Sequence, residues 1–254
     1  MEMPAPLAGR IALVTGAGRN IGRAIALALA ASGAKVGVNV RASRDEGAAV
    51  VDEIRAMGGE ALLVVANIVR RAEVDAMIAA VTERFGGLDI LVNNAAIRQE
   101  AAFADITHAE WRRTLDVCVD GAFHCTQSAL PFLTASDAGT IVNIGGLTAH
   151  TGATHRAHVV TAKAALVGLT RALAHELAES GITVNCVAPG MMATVRNPES
   201  TTINPAHHAT RQALLGRRGL PEEAASMVTW LAGPGARFCT GQVLHINGGA
   251  YLGG

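Results

Sequence analysis

Between the first apolar run and the first Ala-rich stretch the chain reads Thr15-Gly16-Ala17-Gly18-Arg19-Asn20-Ile21-Gly22. Glycines so placed permit positive φ and let the backbone approach a pyrophosphate, whose charge the N-terminus of a following helix stabilises. A second stretch, Thr148-Ala149-His150-Thr151-Gly152-Ala153-Thr154-His155-Arg156-Ala157-His158, carries three imidazoles, side chains that exchange protons near neutral pH. The spacing of His150, His155 and His158 fits no standard zinc pattern and no acidic ligand stands beside them, so no metal site is expected. The four cysteines, Cys118, Cys125, Cys186 and Cys239, form no CxxC pair and read as buried apolar thiols in a reducing, cytoplasmic setting. Cys118 is a nucleophile in principle only, since it sits on an apolar helix without an adjacent base.

A scaffold able to position these groups is visible in the alternation of the chain. Ile11 to Thr15 is a short apolar run, the glycine turn follows, and Ile21 to Ala31 is a helix stopped at Ser32-Gly33. The same grammar gives strands at Lys35–Val40, Ala61–Ala66, Leu88–Asn93, Thr140–Ile144, Ile182–Val187 and Gln242–Ile246. Helices are expected at Arg44–Met57, Ala72–Phe85, a long segment ending near Pro131, His158–Glu179 and Glu222–Leu231. Seven strands alternating with six helices imply right-handed crossovers and a Rossmann-type doubly wound parallel sheet with helices on both faces. Half the residues are apolar, 3% are aromatic and 28 are glycine, a composition suited to helices lying close on such a sheet. The 254 residues show no linker, so one α/β domain spans 1–254, and the irregular stretch at about 189–220 is where a substrate-covering lobe would sit.

Several blocks together resemble the short-chain dehydrogenase/reductase family, over nearly the whole chain. The turn is similar to the family's Thr-Gly-x-x-x-Gly-x-Gly at Thr15, Gly16 and Gly22, with Asn20 at the middle glycine. Asn93-Asn94-Ala95-Ala96 resembles the family's Asn-Asn-Ala-Gly, Asn67-Ile68 stands where Asp-Val usually borders the adenine, and Pro189-Gly190 with Thr194 resembles the block beside the nicotinamide. Gly216 to Glu223 and Gly241 to Gly249 look like the C-terminal family blocks. The resemblance implies a cofactor site made of Gly16, Arg19, Asn20, Ile21, Gly22, Arg41, Asn67, Ile68, Asn94, Ala95, Lys163, Pro189, Gly190 and Thr194. Where NAD-dependent members place Asp after the second strand, this chain has Val40 followed by Arg41. Arg41 and Arg19 are suited to a 2′-phosphate through charge-assisted bonds, which favours NADP(H) over NAD(H), although solvated surface arginines would look the same.

The family's catalytic pattern is broken. It implies a Tyr as proton donor, a Lys four residues on, a Ser and an Asn; the Lys is Lys163, while Val159, Gly146 and Cys118 stand for the others. The lone tyrosine is Tyr251. Lacking its acid and its hydrogen-bond donor, carbonyl reduction loses factors of about 10² to 10⁴ and about 10² to 10³. If the helix begins early, His155 shares a face with Val159 and Lys163 and is a candidate replacement donor, with His158 pointing away and Thr148 and His150 as further candidates.

Three readings stay open. One is an NADP(H)-dependent oxidoreductase acting on a small carbonyl, alcohol or imine, with a replacement acid such as His155 or a water. Another is a degenerate binding or scaffold subunit, supporting an active paralogue in a mixed oligomer. The last is a non-redox lyase or hydrolase using the histidine loop. Equal acidic and basic counts of 21 argue against nucleic-acid and anionic-membrane partners, and no apolar run is long enough to span a bilayer. The family resemblance implies a homo-oligomer, dimer or tetramer, paired through the helices in Thr107–Leu133 and His158–Glu179.

Overall fold

The computed structural model describes residues 5–195 and 213–253. Seven strands, β1 (Ile11–Val14), β2 (Lys35–Val40), β3 (Ala61–Val65), β4 (Ile90–Asn93), β5 (Thr140–Ile144), β6 (Thr183–Pro189) and β7 (Val243–Ile246), form one parallel sheet in the order β3-β2-β1-β4-β5-β6-β7. The helices are α1 (Asn20–Ala31), α2 (Arg44–Ala56), α3 (Arg71–Phe85), α4 (His108–Leu115), α5 (Gly121–Ala135), α6 (Thr148–Thr151), α7 (Ala157–Glu176) and α8 (Pro221–Ala232). Side chains alternate across the pleat, so Ala12 and Val14 enter the core under α1, α2 and α8, while Ile11 and Leu13 enter the core under α3 and α5. Both faces being covered explains why the strands read as continuous apolar runs.

The sheet centre is also polar in one row. Buried Asn93 donates to Thr126 of α5 and to Asn143 of β5 at 2.9 Å, and Asn143 donates to Thr170 of α7 at 2.9 Å. This chain of partners pins two helices to adjacent strands, and each member would be costly to strand alone in the core.

The helix expected to end near Pro131 instead continues to Ala135 with Pro131 inside it. Pro131 and Gln127 both face solvent, so the Gln127 carbonyl that loses its helical donor is open to water. The same expected segment is divided by a π-helical turn at Asp116–Asp120, which separates α4 from α5. Thr107 opens α4 with a capping box to Glu110. Much of the lobe expected at 189–220 lies outside the described residues. No described helix is long and apolar enough to cross a membrane.

Candidate functional site

Strand order reverses between β1 and β4, and a crevice opens there at the carboxyl ends of the strands. The glycine turn fills that position. A Cβ on Gly22 would lie 2.3 Å from the Gly16 carbonyl oxygen and 2.5 Å from Asn94 Nδ2, so only glycine closes the turn. Asn94 Nδ2 donates to the carbonyls of Thr15 and Gly16 at 2.9 and 3.0 Å, while the Thr15 hydroxyl accepts from the backbone N–H groups of Asn94 and Ala95. The turn is thereby fixed to β4. Asn20 has φ +51°, a left-handed conformation that glycine adopts freely and that Asn adopts most readily among side-chain-bearing residues. Its amide also accepts from Val195 N–H at 2.9 Å and donates to Val195 O at 2.8 Å, which latches the turn to the segment after β6.

At the β2 end, Val40 is buried and Arg41 is exposed just beyond it. Arg19 lies 3.7 Å from Glu46 of α2, a pairing the sequence reading did not foresee. Asn39, a polar residue inside an apolar strand, accepts from Gly16 N–H and donates to the Ala66 carbonyl. Asn67 turns the chain by accepting from Val69 N–H, and Ile68 is buried beside it. Arg19, Arg41, Asn67 and Ile68 thus surround the β2 and β3 ends, and the turn offers the glycine-lined backbone and helix N-terminus that a dinucleotide diphosphate requires.

Toward β5 the crevice becomes a cleft of about 180 Å³ whose lining includes Ile21, Asn94, Pro189, Gly190 and Thr194 from the predicted set. Lys163 lines it together with Val159 and Gly146, the three meeting as the spacing required. The Lys163 ammonium donates to the Ile144 carbonyl at 2.5 Å, and burial pushes its pKa below the usual lysine range. A Cβ on Gly146 would meet only Lys163 Cγ, at 4.0 Å, so there is open space at Gly146 beside the lysine stem. Cys118 is buried in the π-helical turn.

The early helix start that would align His155 with Lys163 is not formed. The α7 helix begins at Ala157, and His155 precedes it with φ +60°, exposed and outside the cleft lining. His155 instead accepts a bond from Ala101 N–H through its carbonyl at 3.0 Å. His158 is buried, and His150 packs against His245 and Tyr251 with ring centroids 4.6 and 5.6 Å away. Burial lowers the pKa of all three of His150, His158 and His245. None of the described histidines lines the cleft, whereas Thr148 does.

Comparison with known proteins agrees with this architecture. The model of the enoyl-(acyl carrier protein) reductase family matches residues 16–251. The chain is 39% identical over 241 residues to the 3-oxoacyl-(acyl-carrier-protein) reductase FabG of Staphylococcus aureus, covering 95% of this chain and 98% of that protein. A short-chain dehydrogenase of Burkholderia cenocepacia, solved in complex with NADP, is 37% identical with a TM-score of 0.90, covering 96% of this chain and 99% of the other. A dehydrogenase/reductase of Sinorhizobium meliloti is 38% identical with a TM-score of 0.92, covering 98% of each.

Proposed function

The chain belongs to the short-chain dehydrogenase/reductase family of NAD(P)-dependent oxidoreductases, and on that premise we propose a hydride transfer in which Lys163, with no tyrosine beside it, carries the proton. The substrate is a small carbonyl, alcohol or imine, and NADP(H) is preferred to NAD(H). The observation that carries this reading is the buried ammonium of Lys163 at the wall of a cleft whose other walls, Val159 and Gly146, offer no acid. When bound, the nicotinamide supplies or accepts the hydride. Gly16, Ile21, Gly22 and Asn94 would hold the diphosphate end, and Pro189, Gly190 and Thr194 the nicotinamide end.

The chemistry asked of Lys163 follows from its surroundings. Desolvation favours the neutral amine, so the ammonium gives up a proton more readily than a solvated lysine does. A substrate oxygen gaining negative charge would take that proton directly or through one water, and the Ile144 carbonyl keeps the amine aimed as it does so. Thr148, at the same wall, supplies the remaining hydroxyl for the substrate oxygen. The preference for the 2′-phosphate rests on Arg19 and Arg41 and on the NADP bound in the Burkholderia relative, with Glu46 acting against it.

A degenerate, scaffold-type subunit is the second reading, favoured by the simultaneous presence of Val159, Gly146 and Cys118. Fluorescence titration with NADPH and NADH, followed by turnover of a carbonyl panel across pH with wild type and Lys163→Met, separates the two. Nucleotide binding with a turnover that Lys163→Met abolishes supports the oxidoreductase. Binding without turnover assigns the scaffold role, and no binding of either nucleotide sinks both the hydride transfer and the NADP preference.

A further inference from the structure

The chain holds 21 lysines and arginines together, yet only two of them, Lys35 and Lys163, are lysines. Arginine stays charged in any protein environment, whereas a lysine amine can lose its proton and act as a nucleophile. The two lysines stand in opposite surroundings. Lys35 is half-buried on β2, with its ammonium 2.9 Å from a carboxylate oxygen of Glu60 in an ion pair open to water. Lys163 is buried on α7, and among the described residues no carboxylate pairs with it. Its one hydrogen bond goes to the Ile144 carbonyl, which accepts a single N–H. The neutral amine satisfies that carbonyl as fully as the ammonium does, and keeps its lone pair and second N–H.

Burial without a counter-charge favours the uncharged amine and holds the Lys163 pKa below the usual lysine range. Val159 and Gly146, beside it in the cleft, carry no hydroxyl to compete for a bound carbonyl group, and no described lining residue is acidic. Open space at Gly146 beside the lysine stem leaves room for a small adduct. A desolvated lysine at the wall of a cleft is suited to condensation with carbonyl compounds. We infer that Lys163 is a covalent nucleophile toward small aldehydes and ketones, forming an iminium in this cleft and promoting proton exchange at the carbon next to the carbonyl. The Nζ lone pair forms a bond to the carbonyl carbon while the π pair moves to oxygen, and transfer of one proton from nitrogen to that oxygen gives a carbinolamine. The C–O bond then breaks with a second proton from solvent, releasing water and leaving the iminium. The iminium draws electrons from the neighbouring C–H bond, water takes that proton, and the enamine so formed recovers one from solvent. No electrons are gained or lost and no nucleotide takes part, so the inference goes beyond the proposed hydride transfer and does not depend on it.

Reductive trapping tests it on nucleotide-free protein, with butanal and acetone as probes, cyanoborohydride to fix the iminium as a secondary amine, and peptide mass mapping to compare the two lysines. At pH 7 Lys163 is expected to be alkylated at least about tenfold faster than Lys35, the effect of one pKa unit between two amines. In D2O the wild type should speed deuterium exchange into acetone, read by NMR, and Lys163→Arg, which keeps the cation and loses the nucleophile, should not. If Lys163→Arg does not fold, the ratio of labels in the wild-type chain decides. Labelling of Lys35 equal to or above that of Lys163 overturns the inference, and so does exchange that Lys163→Arg retains. Labelling of Lys163 without any NADPH turnover supports the inference and sinks the proposed hydride transfer, while turnover without labelling does the reverse.

Discussion

Installing the missing acid is the most direct test of how this cleft works. Gly146→Ser adds a hydroxyl where a Cβ has only an ordinary 4.0 Å contact to Lys163 Cγ, so the substitution requires no repacking. Val159→Tyr places a phenol one helical turn before Lys163, on the face that already lines the cleft. A phenol with an unperturbed pKa near 10 is made more acidic by the adjacent ammonium and becomes a competent donor. General-acid catalysis contributes about 10² to 10⁴, and a lost oxyanion donor about 10² to 10³. The two groups work as a unit on one oxygen, so either alone should gain little, and the double variant is expected to gain about 10²-fold or more in kcat/KM. An acetoacetyl thioester is a suitable substrate, with NADPH consumption followed by absorbance. The double variant should exceed the product of the single variants' gains, because the serine orients the oxygen that the tyrosine protonates. Unchanged NADPH affinity and melting temperature with no gain in rate would refute the reasoning, since the cofactor half would then be sound and the cleft unable to present a carbonyl.

Three further outcomes follow from the geometry. Asn20→Gly should keep the turn, because glycine accepts φ +51°, but should speed NADPH release in stopped-flow by removing both bonds to Val195; Asn20→Ala should melt lower than Asn20→Gly by about 1–2 kcal/mol, and equal melting would remove the strain argument. Lys163 has a folded pKa below its unfolded value, so in the window between the two the unfolded chain binds more protons and stability rises with pH. Lys163→Met should therefore melt higher than wild type at pH 7, with the gap closing towards pH 10.5, and a gap that does not change with pH would contradict this. Arg41→Ala should weaken NADPH about tenfold and leave NADH unchanged, while Glu46→Gln should tighten NADPH; equal losses for both nucleotides after Arg41→Ala would remove the 2′-phosphate from that end of the site.

How far the sequence could be read depended on whether a signal was local. The strands and most helices were legible because burial on both faces of a parallel sheet writes uninterrupted apolar runs, and Gly22 was legible because its turn joins a strand to a helix. The helix runs past Pro131 because a solvent-facing proline is tolerated where the carbonyl it frees, here that of exposed Gln127, is open to water. His155 was misread for a related reason: the face it shares with Lys163 exists only if the helix starts before it, and its positive φ, invisible in the sequence, forbids that. The role of Asn39 was missed, though a lone amide inside an apolar strand was a usable signal. The pairing of Arg19 with Glu46, and the approach of Arg98 to Lys163, join residues far apart in the chain and have no pattern that a linear reading could find.

The latch between Asn20 and Val195 has a consequence for how such a device can be inherited. Val195 contributes only its backbone N–H and carbonyl, so the latch makes no demand on which side chain occupies that place. A single asparagine therefore carries the whole interaction, and the segment after β6 is free to diverge in sequence without losing its hold on the turn. In this chain the latch constrains one side chain of the turn and none in the segment that it holds.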